Sequence, residues 1–167
     1  PAAWAEVVID HASSRVTVPE GMRIDPGGLV KGMLADHLAG TVPHWPGGAI
    51  SIGGDLRAWG VPPDGEAWRL GIESPRDPGT NLATVLLTDA GCRGVATSST
   101  TKRAWTTSDG PAHHLIDPAT GRPAATTLLS VTACAPTAAA AEVAAKSVLI
   151  ASVAGSPAPA TLLDARW

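Results

Sequence analysis

The pattern of hydrophobic and polar positions predicts a chain of short strands with two helices. Over residues 29–39 apolar residues recur at helical spacing, and Gly40 follows as a C-terminal cap. Residues 138–151 are rich in alanine and follow Thr137, whose side chain suits the N-cap position. We therefore predict one helix in the first quarter of the chain and a second near its end.

Short apolar runs with β-branched residues predict strands, and turns rich in glycine, proline or aspartate separate them. The predicted strands occupy residues 5–9, 15–18, 49–52, 56–59, 67–73, 82–88, 94–98 and 128–135. Turns or loops are predicted at residues 11–14, 61–65, 108–111 and 117–121. This order of elements has few parallel crossover units. It predicts an α+β fold with a mostly antiparallel sheet and packed helices.

Composition narrows the classes of protein. The 167 residues predict about one domain, and a net charge of −3 argues against nucleic-acid binding through a basic surface. No apolar run approaches the roughly 20 residues of a membrane span. The chain begins with Pro1, so we expect a trimmed or processed piece of a longer protein. No signal peptide is recognised in it, and the compartment, cytoplasmic or exported, stays open.

Cys92 and Cys134 fit no zinc-binding spacing and make no disulfide framework. The favoured interpretation is two isolated small apolar residues. A single bridge between them stays open as the alternative.

Residues 25–32, DPGGLVKG, are the first candidate for ligand chemistry. Two glycines before a helix let a ligand approach the backbone closely, and the N–H groups of a helix N-terminus favour anions. Lys31 lies in the first turn, where the helix dipole disfavours a cation, so an anionic ligand would explain it. The alternative is a glycine turn with a solvated lysine.

Further candidates follow predicted strands or turns. Asp55 follows a double glycine and could contact a ligand hydroxyl or cap its turn. Residues 96–100 carry hydroxyl groups suited to phosphate or ribose, or form an ordinary polar loop. His114 near the turn carboxylate Asp117 could be an acid–base pair, a ligand contact or part of a surface turn.

Glu142 and Lys146 are four residues apart on the second predicted helix and therefore share one face. Taken without other context they are an exposed ion pair, which contributes about 0.3–0.5 kcal/mol.

The order of these stretches resembles the ApbE family, the FAD:protein FMN transferases. The resemblance covers roughly residues 6–155 and includes the last helix. Its blocks are residues 25–32 (DPGGLVKG), 52–55 (IGGD), 71–75 (GIESP), 96–99 (ATSS), 114–123 (HLIDPATGRP) and 130–132 (SVT). Each block alone is weak, and their common order makes the resemblance specific.

The resemblance implies a T-fold-like α+β domain that binds FAD. It implies transfer of the FMN half of FAD to a threonine hydroxyl of an acceptor protein, with release of AMP. Catalytic roles are implied for Lys31 and His114. The residues implied to contact the cofactor are Lys31, Gly28, Asp55, Thr97, Ser98, His114 and Asp117. The alternatives are an FAD pyrophosphatase that yields FMN and AMP, or a non-catalytic FAD-binding or interaction module.

The resemblance also implies Mg²⁺, held by the Gly28 carbonyl and by an aspartate and a threonine on the last helix. In this chain Glu142 and Lys146 occupy those two positions. A protonated lysine cannot ligate a metal ion. Our hypothesis is that the Lys146 ammonium, held by Glu142, stands where Mg²⁺ would lie, so that Glu142 is a doubtful metal ligand.

Length is a second departure from the family, whose members carry a longer N-terminal segment that contributes to the FAD pocket. We expect residues 1–155 to be the C-terminal two thirds of an ApbE-like domain and residues 156–167 to be a tail. The expected partners are FAD, an acceptor protein with a flavinylation threonine, and a missing N-terminal segment or second chain. Nucleic acid and a membrane span are not expected.

Overall fold

The structure is a computed structural model that describes residues 2–42, 44–87, 92–152 and 163–164. Its α-helices are α1 (Val30–Gly40) and α2 (Ala138–Ala151), and short 3-10 helices cover Ala2–Glu6 and Pro26–Gly28. The strands are β1 (Val8–Asp10), β2 (Arg15–Thr17), β3 (Gly47–Ile52), β4 (Asp55–Gly60), β5 (Trp68–Glu73), β6 (Asn81–Leu87), β7 (Gly94–Ser99), β8 (Ala104–Thr107), β9 (Gly110–His113), β10 (Ile116–Asp117), β11 (Arg122–Pro123), β12 (Ser130–Ala135) and β13 (Leu163–Asp164). Within these described ranges, no helix is long and apolar enough to cross a membrane.

The central sheet has five strands in the order β13-β12-β7-β4-β3. Strand β13 runs parallel to β12, and the other neighbours are antiparallel. Four hairpins, β1–β2, β5–β6, β8–β9 and β10–β11, complete the described structure. Part of the predicted tail therefore forms the edge strand β13, and the rest of that tail lies outside the described residues.

Both helices pack on one face of the sheet, α2 over β7 and β12 and α1 over β3 and β4. Alanine dominates this layer: Ala133, Ala141 and Ala145 are fully buried beside Leu149. Because alanine side chains are short, the helix axis can lie close to the strands. The opposite face is covered by the β5–β6 hairpin, and Val85 packs there against β4 and β7.

The structure confirms the second predicted helix at both ends. Thr137 caps it, since its Oγ1 accepts a hydrogen bond of 3.1 Å from the Ala140 N–H. The first helix is shifted by one residue relative to the prediction, and Gly40 is its last helical residue and not a cap beyond it. The β8–β9 hairpin was not predicted, because its strands are short and without an apolar run, and β8 is exposed along its length.

The β3–β4 connection explains the double glycine. Gly53 has φ +57° and Gly54 has φ +95°, so both residues adopt the left-handed conformation of a two-residue hairpin turn. A residue with a side chain is disfavoured in that conformation. The turn places Asp55 at the first position of β4, where its side chain points into the protein.

Cys92 and Cys134 form a disulfide, with Cα atoms 5.5 Å apart. The interpretation as two isolated residues is therefore wrong, and the bridge left open as the alternative is present. The two cysteines are 42 residues apart in the sequence, and this separation does not show that they are close in space. The antiparallel pairing of β7 with β12 brings Cys134 opposite Val95 and so close to Cys92.

Asp36 ties α1 to the start of α2. Its two carboxylate oxygens accept hydrogen bonds of 2.9 Å from the Ala138 and Ala139 N–H groups. Arg57 Nε lies 3.5 Å from Asp36 Oδ1, and the Arg57 guanidinium also donates to the Pro136 carbonyl. The carboxylate thus satisfies two N–H groups that a helix N-terminus leaves without a partner.

We expect Asp36→Ala to lower the free energy of unfolding by about 1–2 kcal/mol, because two N–H groups lose a charged acceptor. Urea denaturation followed by tryptophan fluorescence measures the change. Asp109→Ala is the matched control, since Asp109 is exposed in a loop and should change stability by less than about 0.5 kcal/mol. Equal midpoints for the two variants would contradict a stabilising role of Asp36.

Candidate functional site

A cluster of buried charges lies between the start of α1, the start of β4 and the middle of α2. Lys31 Nζ contacts the Asp55 carboxylate and lies 3.1 Å from Glu142 Oε1. The Asp55 and Glu142 side chains are 2% and 3% exposed, whereas Lys31 keeps 36% of its side chain exposed. Glu142 Oε2 accepts a hydrogen bond of 2.9 Å from the Gly32 N–H. One ammonium group therefore forms ion pairs with two buried carboxylates.

The protonation equilibria follow from this packing. Burial by itself would lower the pKa of Lys31, but the hydrogen bonds and charges of Asp55 and Glu142 outweigh it and raise that pKa. Burial raises the pKa of Asp55, and the nearby Glu142 charge adds to the rise. Lys31 opposes it, as does the Thr97 N–H, which donates to the carboxylate. The Lys31 charge is thus stabilised by carboxylates within the protein.

Lys146 lies one helical turn after Glu142 but has a different environment. Its ammonium group lies against Gly28, where a Cβ would also meet Lys146 Cδ at 3.1 Å and Cε at 3.2 Å. Among the described residues, no carboxylate lies within 4.0 Å of Lys146 Nζ. Glu142 therefore does not hold Lys146 as expected, and it is a buried residue paired with Lys31 and not half of an exposed pair.

Burial lowers the pKa of Lys146, and the Lys31 charge lowers it further. The carboxylates of Glu142, Asp55 and Asp25 act in the opposite direction. Lys146 is thus a partly buried ammonium group near charges of both signs, without a direct partner among the described residues.

An open groove of 610 Å³ adjoins this lysine. Its volume is in the range of small-molecule binding sites. The groove has more apolar than polar surface and is lined by Gly28, Asp117, Pro118, Val143, Lys146, Ser147, Ile150 and Ala151. Two predicted site residues, Gly28 and Asp117, are therefore brought together with Lys146.

The turn before α1 forms one end of the site. Asp25 caps the 3-10 turn Pro26–Gly28, because its Oδ1 accepts a hydrogen bond of 2.8 Å from the Gly27 N–H. Lys31 passes over the β3–β4 turn, with its Cδ 3.3 Å from where a Gly53 Cβ would lie. The glycines thus allow side chains of the protein itself to come close to the backbone.

A divalent cation does not fit the residues that the resemblance implies as ligands. The oxygens of Glu142 already face the Gly32 N–H and the Lys31 ammonium. The Lys146 ammonium, which offers no lone pair, lies beside Gly28. Within the described part of the chain, no three His, Cys, Asp or Glu side chains group as metal ligands.

The two neighbouring histidines have different environments. His113 Nε2 lies 3.1 Å from the Ala124 carbonyl, and the Leu115 N–H donates to Nδ1 at 3.3 Å. His113 is therefore a structural residue, held by the backbone of Ala124 and Leu115. His114 is exposed, and burial of part of its ring, followed by the charges of Arg103 and Lys146, lowers its pKa. Of the two, His114 is the one available to a ligand.

Asp117 stabilises its own turn at the groove. Its Oδ1 accepts a hydrogen bond of 2.8 Å from the Ala119 N–H, and Thr120 Oγ1 donates to Oδ2 at 3.3 Å. Its carbonyl also accepts from the Gly121 N–H at 2.8 Å. This agrees with the turn predicted over residues 117–121.

Thr97 and Ser98 are adjacent on β7 and therefore point to opposite faces of the sheet. The Thr97 hydroxyl pairs with the Thr132 hydroxyl at 2.9 Å, away from the helices. Ser98 is 8% exposed and lies on the same face as Ala96, which packs against α2. Ser98 thus shares the helix-covered face with the charge cluster, and Thr97 reaches the cluster only through its N–H group.

Gly32 is a site residue that the sequence analysis did not single out. Its N–H binds Glu142, and a Cβ at this position would lie 2.6 Å from the Ala138 carbonyl oxygen. The signal for it was a glycine in the first turn of a helix, where glycine costs about 1 kcal/mol relative to alanine.

The model of the ApbE family matches residues 2–164. The chain is 33% identical over 136 residues to the FAD:protein FMN transferase of Salmonella typhimurium, covering 78% of this chain and 38% of that protein. It is 32% identical over 127 residues to the FAD:protein FMN transferase of Treponema pallidum. This match covers 70% of this chain and 34% of that protein.

Solved structures give the same result. The crystal structure of the ApbE protein from Thermotoga maritima matches with a TM-score of 0.75 and 30% identity, over 88% of this chain and 47% of that one. The flavin transferase ApbE from Vibrio cholerae matches with a TM-score of 0.64 and 26% identity. This match covers 87% of this chain and 46% of that one. These matches confirm the predicted ApbE-like α+β fold. This chain spans less than half the length of each of these relatives.

Proposed function

This chain belongs to the ApbE family, and on that premise we propose that it acts as an FAD:protein FMN transferase. It would move the FMN half of FAD to a threonine hydroxyl of an acceptor protein and release AMP. The observation that carries this proposal is the groove beside Gly28, because its wall contains the ammonium group of Lys146, which has no carboxylate within 4.0 Å among the described residues. Such a group suits the diphosphate of a dinucleotide.

In the proposed reaction, the acceptor hydroxyl oxygen forms a bond to the phosphorus of the FMN half. The bond from that phosphorus to the bridging oxygen breaks, and AMP leaves with the bridging oxygen. The proton of the hydroxyl passes to a base. Since the nucleophile belongs to the acceptor, this chain has to supply positioning, positive charge and a proton acceptor.

His114 is the proposed proton acceptor. Its pKa lies below the ordinary value, first because of burial and then because of neighbouring positive charges. The neutral imidazole therefore predominates at neutral pH, and only this form accepts a proton. Its exposure lets an acceptor protein approach it.

Lys31 is proposed to contact a phosphate oxygen in addition to its two carboxylates. An ammonium group has three N–H donors, of which one goes to Asp55, while Glu142 Oε1 lies 3.1 Å from Nζ as an ion-pair partner. The exposed part of the side chain leaves a donor for a ligand. Asp55 would then act mainly by positioning Lys31.

The remaining residues are proposed to contact FAD because of where they lie in the structure. Gly28 and Asp117 line the groove, and Ser98 lies on the helix-covered face of the sheet. Thr97 would contribute through the N–H group that holds Asp55. The Mg²⁺ that the resemblance implies does not fit Gly28 and Glu142 in this chain, and the proposed reaction has no step through it.

Because this chain spans less than half the length of its relatives, we propose that the pocket is completed by a further segment or by a second chain. The acceptor protein with its flavinylation threonine is the other proposed partner.

The test is incubation with FAD and an acceptor protein that carries the flavinylation threonine, with AMP measured by chromatography and bound flavin by fluorescence. We expect His114→Gln to slow AMP release by about a hundredfold, because the reaction loses its proton acceptor. The affinity for FAD should change far less than the rate. His11→Gln, in the exposed β1–β2 turn, is the control and should leave the rate unaltered.

The products distinguish the alternatives. AMP together with a flavin-labelled acceptor supports the transferase. AMP with free FMN and an unlabelled acceptor identifies an FAD pyrophosphatase. Retained FAD without AMP identifies a flavin-binding module, an alternative favoured by the poor fit of the expected metal ligands.

A further inference from the structure

The protein supplies positive charges of its own beside the groove. Lys31 pairs with Asp55 and Glu142, whereas Lys146 lies in the field of these carboxylates and of Asp25 without a direct contact among the described residues. A divalent cation beside Gly28 would meet the Lys146 ammonium, while Glu142 accepts a hydrogen bond from the Gly32 N–H and lies 3.1 Å from Lys31 Nζ. Repulsion between the two cations in a partly buried site disfavours this arrangement.

The position of Lys146 points to a ligand. Its alkyl chain packs against Gly28, so the glycine provides the space in which the ammonium group rests. From there the group borders the groove, together with Asp117, Val143 and Ser147. A partly buried charge is stabilised only when an opposite charge or hydrogen-bond acceptors surround it. Within the described residues Lys146 has no such direct partner, and an anionic ligand in the groove supplies one.

Lys31 cannot fully replace Lys146 as the counter-charge to an anionic ligand. Its charge is held by two carboxylates that are almost completely buried, so withdrawing it towards a ligand would leave both without a counter-charge. Lys146 can turn to a ligand without breaking any ion pair of the described structure. Of the two lysines, only Lys146 has a positive charge without an ion-pair partner in the part of the chain that the structure describes.

We propose that the Lys146 ammonium is the counter-charge to the diphosphate of FAD, in place of a divalent cation, and that this chain binds the dinucleotide without metal. The inference rests on the proposed function, because it takes FAD as the occupant of the groove. It identifies Lys146 as a ligand-binding residue for the diphosphate class of ligands.

Isothermal titration calorimetry with FAD tests the inference without measuring turnover. The unmodified chain is titrated once in EDTA and once in excess MgCl₂, and we expect dissociation constants within about twofold of each other. Lys146→Met keeps the length of the side chain and removes its charge. We expect it to weaken FAD binding in EDTA by about tenfold, the effect of losing one charge-assisted hydrogen bond.

Lys102→Met is the matched control. Lys102 is an exposed lysine paired with Glu73, and its loss should leave FAD binding unchanged. Circular dichroism of each variant shows whether it is folded. If Lys146→Met does not fold, the comparison of EDTA with MgCl₂ on the unmodified chain still decides whether a metal is needed.

Two results would overturn the inference and leave the proposed function intact. One is FAD binding that is lost in EDTA and returns with MgCl₂. The other is a folded Lys146→Met variant that binds FAD as tightly as the unmodified chain. A folded chain that binds no FAD under either condition would also overturn this inference, and the AMP-release assay would then test the proposed function separately.

Discussion

Replacing Lys31 with methionine is expected to lower the free energy of unfolding by about 2–3 kcal/mol at neutral pH. The substitution leaves Asp55 and Glu142, whose side chains are 2% and 3% exposed, without their shared counter-charge. Breaking one partner out of a buried ion pair costs about 3–5 kcal/mol, and the partial exposure of Lys31 reduces that figure. Urea denaturation followed by the fluorescence of the six tryptophans measures the loss.

The loss should shrink as the pH falls. Burial raises the pKa of Asp55 above its ordinary value of 3.8, and Lys31 opposes the rise. Without Lys31 the pKa rises further, so the folded variant binds more protons than the unfolded chain at mildly acidic pH. Stability then increases, relative to the unmodified chain, as the pH is lowered through this range. A difference that stays constant from neutral to mildly acidic pH would contradict the proposed role of Lys31.

Lys102→Met provides the control on the same protein. Lys102 pairs with Glu73 at the surface, where the two side chains are 71% and 41% exposed. Exposed ion pairs contribute at most about 1 kcal/mol, so this variant should lose little stability. If both lysine variants lose the same free energy of unfolding, the loss reflects the net charge of the protein and not the buried cluster.

The second large effect is expected for Gly32→Ala, which should lower the free energy of unfolding by about 2–3 kcal/mol. A Cβ at this position would lie 2.6 Å from the Ala138 carbonyl oxygen and 2.7 Å from the Ala139 Cα. These are backbone atoms of α2 and cannot turn aside, so the two helices must separate. Separation also stretches the hydrogen bond from the Gly32 N–H to Glu142.

Gly40→Ala on the same helix gives a control with the opposite sign. No atom lies within 4 Å of a Cβ at this position, and Gly40 is the last residue of α1. Alanine restricts the unfolded chain and favours the helix, so stability should rise by up to about 1 kcal/mol. Thermal unfolding followed by circular dichroism measures the stability of both variants. A Gly32→Ala variant as stable as the Gly40→Ala variant would refute the close contact between the two helices.

The two helices and most strands of the sheet could be predicted because their determinants are local. Helix α2 starts at the residue after Thr137 and ends where the alanine-rich stretch ends. The turn of Gly53 and Gly54 was visible as a double glycine between two apolar runs. In each case a few neighbouring residues suffice to define the conformation.

Features that depend on distant parts of the chain were missed. The disulfide needed the pairing of β7 with β12, and the spacing of Cys92 and Cys134 does not contain it. The β8–β9 hairpin has four exposed residues on its first strand, so no alternation of polar and apolar positions marked it. Strand β13 was read as part of a tail because its partner, β12, lies far away in the sequence.

The sequence by itself determined the fold class, the family and the residues that carry charge at the site. It also suggested the wrong partner for Glu142, because a spacing of four residues on a helix pairs it with Lys146. Only the tertiary structure decided that Lys31 pairs with both Glu142 and Asp55, leaving Lys146 beside Gly28 and the groove. The physical reason is that buried carboxylates are neutralised by the cation that packing brings within contact distance, and packing joins elements that the sequence keeps apart.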